Sequence, residues 1–357
     1  MYKKLFIPGP THVRESILRA QTAPMIGHRS AEYAALQREV TPKLQKLLRT
    51  EQRVYLYTSS STGVMEGTIR QASTKRVLNT VCGAFSKRWH QITTINGLPA
   101  DTVGVEWGQA VTPELVDEAL SSGDYDAMTM VMNETSTGVL NPIGEIATLV
   151  REKYPDVLIL VDAVSAMAGV EILFDEWGLD VCLAGVQKCF ALPAGLTVCA
   201  VSDRARERAQ EVPNPGYYFG YKKMEQKYKK GQTTATPAIS IIQALNQQMD
   251  DMFEEGVENR FKRHKQMAAY VQDWAREHFE LFSSEDYLSP TVTNVKNTRG
   301  ISVVDLNEQL GERGAMISNG YGPMKEECFR IAHMGDLTLD DVTWLTDQIE
   351  DILQLQA

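Results

Sequence analysis

An α/β fold, with a large domain on a mostly parallel sheet and a smaller domain after it, is predicted by three features of the sequence. The first is Val157-Leu158-Ile159-Leu160-Val161, a continuous apolar run of strand length that suits burial on both faces. The second is Val181-Cys182-Leu183-Ala184, a weaker run of the same kind. The third is the alternation of short apolar runs with helical patterns between about residues 54 and 200, the rhythm of parallel strands joined by crossover helices. A chain of 357 residues with 43% hydrophobic content can fill one large core and a smaller second one.

Composition removes several function classes. A net charge of -10 argues against a nucleic-acid binder. No apolar segment approaches the roughly 20 residues that span a bilayer. The opening MYKKLFIPGP has no apolar region followed by a cleavage site, so no secretory signal is expected. Cys82, Cys182, Cys189, Cys199 and Cys328 are scattered and form neither a metal pattern nor a disulfide framework, which points to a reducing, cytoplasmic compartment.

Residues 1–20 read as an N-terminal segment, with Pro8-Gly9-Pro10 forcing an extended turn. Ser30 starts an amphipathic helix that runs to about Leu48, and His28 and Arg29 just before it are either ligand contacts or a surface turn. Val54 to Tyr57 is a strand, followed by Thr58-Ser59-Ser60-Ser61-Thr62-Gly63 and a helical run. Strand, small polar loop and helix can cradle a phosphate on backbone N–H groups, though the same residues can simply cap a helix. Val77 to Val81 is a strand leading to Phe85, an aromatic that either stacks on a flat ring or joins the core. Ala127 to Met132 is another, closed by the polar loop Asn133 to Gly138. A large domain is expected over residues 21–250. Past Pro237 a long, interrupted helical pattern to about Phe279 leads into a C-terminal domain, 251–357. That domain contains strands at Thr291–Val295, Ala315–Ile317 and Cys328–Ala332 and a final helix from Leu339 to Leu353.

The chemistry-bearing pair comes at the ends of the two runs first named. Asp162 closes one, and Gly185 leads from the other to Gln187 and Lys188. On adjacent parallel strands both would stand at carboxyl ends, where open α/β sheets bind ligands. Pyridoxal phosphate wants such a pair: a carboxylate to keep its ring nitrogen protonated and a lysine to form a Schiff base with its aldehyde. An Asp at a strand end also commonly only caps a turn, and most lysines are solvated.

Six segments occur in the order of a known family: Pro8-Gly9-Pro10-Thr11, Gly27-His28-Arg29-Ser30, Glu134 to Leu140, Val161-Asp162-Ala163-Val164-Ser165, Gln187-Lys188 and Arg330-Ile331. Through them the chain resembles the class V (fold type I) pyridoxal-phosphate aminotransferases, above all the alanine–glyoxylate / serine–pyruvate group, over nearly its full length. The resemblance implies a seven-stranded type of sheet flanked by helices, a smaller α+β domain, and a homodimer with its sites at the interface. It makes Lys188 the cofactor-bearing lysine and Asp162 the partner of the ring nitrogen. Ser60, Ser61, Thr62 and Gln187 become phosphate contacts, Phe85 and Val164 ring contacts, and Thr135 a neighbour of the ring oxygen. Arg330 becomes the grip on the substrate carboxylate, with Gly9, His28 and Arg29 on the substrate side.

Departures from the family pattern matter as well. Ser59 and Ser61 replace two glycines of the phosphate loop, so the backbone there has to avoid positive φ or tolerate some strain. Val186 replaces a serine before Gln187-Lys188, and Gln232 replaces a tyrosine, leaving Gln232 and Thr234 as candidates for reaching the partner subunit's phosphate. The implied activity is ping-pong transfer of the amino group of alanine or serine to glyoxylate or another 2-oxo acid. Phosphoserine aminotransferase is the alternative. Its His-Arg is matched by His28-Arg29, but a second such pair is missing from Gly322 to Glu327. A cysteine desulfurase would need a mobile reactive cysteine, and Cys328 is expected inside a strand. A non-catalytic relative would have no use for Lys188, Asp162 and Arg330 together.

Overall fold

Strand Leu158–Asp162 shows how the core is arranged. Its side chains alternate between two apolar layers: Ile159 and Val161 join one, Leu158 and Leu160 the other. Strands Val181–Gly185 and Thr197–Val201 divide in the same way, so the sheet centre is apolar on both faces. The computed structural model describes residues 3–355.

The large sheet has seven strands. From one edge they are Arg53–Tyr57, Thr197–Val201, Val181–Gly185, Leu158–Asp162, Ala127–Val131, Val77–Val81 and Ala100–Gly104. All neighbours pair in parallel except Thr197–Val201, which runs against both of its neighbours. The expected α/β architecture is therefore present, with helices packed on both faces. Ala100–Gly104 has no counterpart in the sequence reading. It is an edge strand with little burial, and its pattern carries too few apolar residues to announce itself.

A second sheet of five strands orders Lys4–Phe6, Ala315–Asn319, Cys328–Ala332, Val292–Lys296 and Glu280–Leu281. Helices Val257–His278, Val303–Glu312 and Leu339–Leu353 supply its core together with Phe6, Val295, Phe329 and Ile331. The last helix is opened by Thr338 and Asp341, whose side chains reciprocally bond each other's backbone N–H. The long pattern after Pro237 resolves into Ile239–Glu255 and Val257–His278, broken at Gly256, which takes φ +85°.

The N-terminal segment belongs to the second sheet through Lys4–Phe6, which pairs in parallel with Ala315–Ile317. Its first two residues lie outside the described ones. From Phe6 the chain crosses to the large sheet, where the Thr11 N–H donates to the Gln187 carbonyl at 3.0 Å. Both sheets thus meet at the lysine loop. Among the described residues no helix is long and apolar enough to cross a membrane.

Candidate active site

Asp162 and Lys188 stand where the sheet logic puts them. Leu158–Asp162 and Val181–Gly185 are parallel neighbours with Asp162 opposite Leu183, and the second strand continues through buried Val186 into Gln187 and Lys188. Asp162 is buried and accepts the Val164 N–H at 2.8 Å. Burial pushes its carboxyl up to about 6, and the negative charge of Glu134 adds to this. The Val164 N–H, Lys188 and Arg88 pull the other way. Burial holds the Lys188 amine down to about 8, helped by the positive charge of Arg330. Lys188 Nζ donates to the Pro8 carbonyl, and a β-carbon on Gly9 would overlap the lysine side chain, so glycine is required where the N-terminal segment passes.

The loop before helix Ser61–Ala72 is held from three sides. Thr197 Oγ1 donates to the Ser59 carbonyl at 2.9 Å, Tyr218 OH to the Thr58 carbonyl at 3.0 Å, and the Ala238 N–H to Thr58 Oγ1 at 2.8 Å. Ser60 caps the helix in an extended conformation (φ −70°, ψ 156°), and neither Ser59 nor Ser61 has positive φ. The serines that replace glycine are therefore accommodated without backbone strain. Ser61 Oγ is buried with no hydrogen-bond partner. A β-carbon at Gly185 would press on both Ser61 Oγ and the Gln187 amide, whose polar ends meet there. A helix N-terminus, an orphaned hydroxyl and an amide converging over a bare glycine fit an anionic phosphate.

Arg330 lies on the middle strand of the second sheet and is only 8% exposed. Its Nε donates to the Asn319 carbonyl at 3.1 Å and its Nη1 to the Thr135 carbonyl at 3.3 Å. No carboxylate lies within ion-pair distance of it among the described residues. Burial holds its guanidinium down to about 10, against the opposing influence of Tyr321 and Glu134. A buried cation that meets carbonyls and the Tyr321 ring but no carboxylate suits an anionic ligand.

Glu134, fully buried, anchors helix Ala84–Ile95 from outside. Its carboxylate accepts the Ser86 N–H at 2.9 Å, the Phe85 N–H at 3.3 Å and the Ser136 hydroxyl at 2.6 Å. A negative charge at the helix N-terminus is favourable there and sets the position of Phe85. Phe85 faces Tyr321 at 5.1 Å between ring centroids.

Gly9, Ser60, Ser61, Thr62, Phe85, Thr135, Asp162, Val164, Gln187 and Lys188 all line one cavity of about 320 Å³, within the range of about 300–1,000 Å³ usual for small-molecule sites. Arg330 sits beside it, against Thr135 and Tyr321. His28, Arg29, Gln232 and Thr234 do not line it; Thr234 bonds the Tyr218 carbonyl, next to the loop that carries Ser60. Arg88, Asn133 and Tyr321 line the cavity and had not been singled out. Arg88 was legible in principle, three residues after Phe85 and hence on the same helix face. Tyr321 comes from the turn after strand Ala315–Asn319 of the second sheet and carried no local signal. Cys328 is buried inside its strand, and burial pushes its thiol up to about 11, the reverse of what a reactive cysteine needs.

A strand-end lysine and carboxylate facing a helix N-terminus, with a buried arginine that no carboxylate answers, fit an α/β enzyme whose ligands carry an amine and two anionic groups. Residues 15–333 match the family described as aminotransferase class-V, and the chain belongs to that family and is an aminotransferase. It is 37% identical to an uncharacterised aminotransferase of Methanocaldococcus jannaschii, over 93% of this chain and 88% of that one. It is 30% identical to the L-aspartate–glyoxylate aminotransferase of Paracoccus denitrificans, over 94% and 87%. An alanine–glyoxylate aminotransferase structure from Nostoc superposes with a TM-score of 0.92 at 26% identity, covering 99% of this chain and 96% of that one. The family implies pyridoxal phosphate as the cofactor, and the residues of this cavity fit it.

Proposed function

We propose that the chain moves the amino group of L-alanine or L-serine to glyoxylate or another 2-oxo acid in two successive half-reactions. The observation that carries this reading is the placement of Lys188 and Asp162 at neighbouring strand ends, in one cavity with the open N-terminus of helix Ser61–Ala72. When bound, pyridoxal phosphate supplies an aldehyde to receive the amino group and a ring that draws electrons from the substrate's Cα–H bond.

The residues have separate tasks. Ser60, Ser61, Thr62 and Gln187 hold the phosphate, while Phe85 and Val164 offer apolar surface to the ring. Thr135 stands beside its oxygen. Asp162 keeps the ring nitrogen protonated. Lys188 Nζ would hold the cofactor and, as a neutral amine, would take the proton from the substrate Cα and pass it to the carbon that carried the aldehyde. Burial favours that neutral form. Arg330 orients the α-carboxylate with a planar fork that lysine lacks. Gly9 leaves room for the lysine to move. Residues 21–250 form the cofactor-holding unit, and 251–357 contribute Arg330.

The same reading makes the chain a homodimer. Ser60 and Thr62 are exposed at the cavity mouth, and Met25 and Tyr217 are 71% and 74% exposed. A second copy would cover them, bring its Gln232 and Thr234 to the phosphate, and place His28 and Arg29 beside the substrate. Five free, buried cysteines fit a reducing cytoplasm.

The experiment is the visible spectrum of the purified protein as L-alanine, L-serine or L-phosphoserine is added. Bleaching by alanine or serine and not by phosphoserine is expected. Bleaching by phosphoserine alone would favour the phosphoserine reaction and assign His28 and Arg29 to a substrate phosphate. A protein that stays colourless with pyridoxal phosphate would remove Lys188 from its role.

A further inference from the structure

A second arginine faces the cavity with no anion to answer it. Arg88 lies on helix Ala84–Ile95, with its guanidinium carbon 4.9 Å from the centre of the Phe85 ring. Nη1 donates to Thr62 Oγ1 at 3.2 Å and Nη2 to the Tyr321 hydroxyl at 3.5 Å, both neutral acceptors and the second at the limit of a hydrogen bond. No carboxylate lies within ion-pair distance of Arg88 among the described residues.

Tyr321 relates this cation to Arg330. Arg330 meets the ring, with its guanidinium carbon 5.5 Å from the centroid, and Arg88 meets the hydroxyl. Two guanidinium groups thus bracket one tyrosine at the same cavity. A substrate with a single carboxylate answers one of them and leaves the other without a counter-charge. The cofactor's phosphate has its own cradle, where Ser61 and Gln187 meet over Gly185, and Arg88 reaches only the exposed outer residue of that loop, Thr62.

We propose that Arg88 binds the second carboxylate of a dicarboxylic substrate, so that the cavity also accepts an acidic amino acid or its 2-oxo acid. Arg330 takes the α-carboxylate, and Arg88 exchanges its long bond to Tyr321 for a charge-assisted one to the distal carboxylate. This rests on the aminotransfer reading given above. Glyoxylate or alanine leaves Arg88 in its present bonds, which is how one pocket serves both substrate lengths in alternate half-reactions.

The test uses the cofactor-loaded enzyme with L-aspartate, L-glutamate and L-alanine in single half-reactions followed by absorbance. For Arg88→Gln the ratio of kcat/KM for the better acidic substrate over that for alanine falls about 10- to 100-fold. Arg88→Lys, which keeps the charge without the fork, falls between. A ratio that stays constant in both variants overturns the proposal, whether all substrates slow together or only pyridoxal phosphate binds more weakly. The second result would put Arg88 on the cofactor phosphate. A wild-type enzyme that reacts with alanine and with neither acidic amino acid also overturns it. A loaded wild type that reacts with no amino acid strikes the aminotransfer reading instead.

Discussion

Arg260 and Arg330 are both sunk into the protein, at 1% and 8% exposure, but only Arg260 has its charge answered. Arg260 pairs with Asp336 at 2.9 Å and Glu255 at 3.1 Å, and donates to the carbonyls of Ala168 and Cys189. Burial pushes Asp336 up, but Arg260 and Arg14 outweigh it and hold its carboxyl below the usual range. Arg330 has carbonyls and no carboxylate. The first arrangement is complete and holds the backbone just after Lys188. The second is complete only with a ligand. On the proposed reading, a buried cation whose partner is missing from the chain marks where the substrate's charge belongs, at a cost in stability until that charge arrives.

The sharpest attack on this contrast replaces each arginine in turn. Arg330→Met is expected to lower kcat/KM for amino acids by about 10²- to 10⁴-fold, in line with losing a buried charge pair, while thermal denaturation shows the cofactor-free protein no less stable. Loss of fold without loss of turnover per folded molecule would break the distinction. Arg260→Met leaves Asp336 and Glu255 unanswered, and urea unfolding should show a loss of about 3–5 kcal/mol.

The lysine tests the same idea through pH. Its ordinary pKa is 10.5, and burial first, then the charge of Arg330, brings it to about 8. The neutral amine that attacks an aldehyde becomes dominant as pH rises through that value. Uptake of pyridoxal phosphate by cofactor-free protein should therefore quicken roughly tenfold between about pH 7 and pH 9. Burial, Arg330 and Arg88 all lower it, and Arg330→Met removes the second of these and should move the midpoint upward. A midpoint that does not move would separate the two groups electrostatically.

Asp162 gives an effect on stability alone. Its folded pKa of about 6 lies above the ordinary 3.8, so between those values the folded chain binds more protons than the unfolded one. The associated stability is present in full below the unfolded value and is lost as pH rises through about 6. Cofactor-free Asp162→Asn should lack this dependence and exceed the wild type near pH 7 by on the order of 3 kcal/mol in a denaturant series. Asp336, answered by Arg260, has the opposite sign.

The large sheet was legible because its central strands must be apolar on both faces, which leaves continuous runs such as Leu158 to Val161 and makes the polar residue at each end conspicuous. Asp162 and Lys188 could be placed for that reason. Arg330 could not be placed from pattern, since a cation in a fully buried strand contradicts the local signal; it came from the family resemblance. Tyr321 and Asn133 were invisible because the cavity they line is assembled from segments far apart in the chain. Ser59 and Ser61 raised a doubt that the observed backbone removes, with Ser60 extended and no positive φ at either neighbour. His28, Arg29, Gln232 and Thr234 do not line the cavity, and a role for them at a site shared with a second subunit belongs to the proposed reading.

The pairing of Lys4–Phe6 with Ala315–Ile317 also sets a timetable. During synthesis the first strand has nothing to pair with until roughly 300 further residues have been added, on the order of tens of seconds at ribosomal speed. Until then Pro8 and Gly9 have no fixed path past Lys188. The large sheet can close early around its own lysine, but the wall beside that lysine is laid late, by residues made long before.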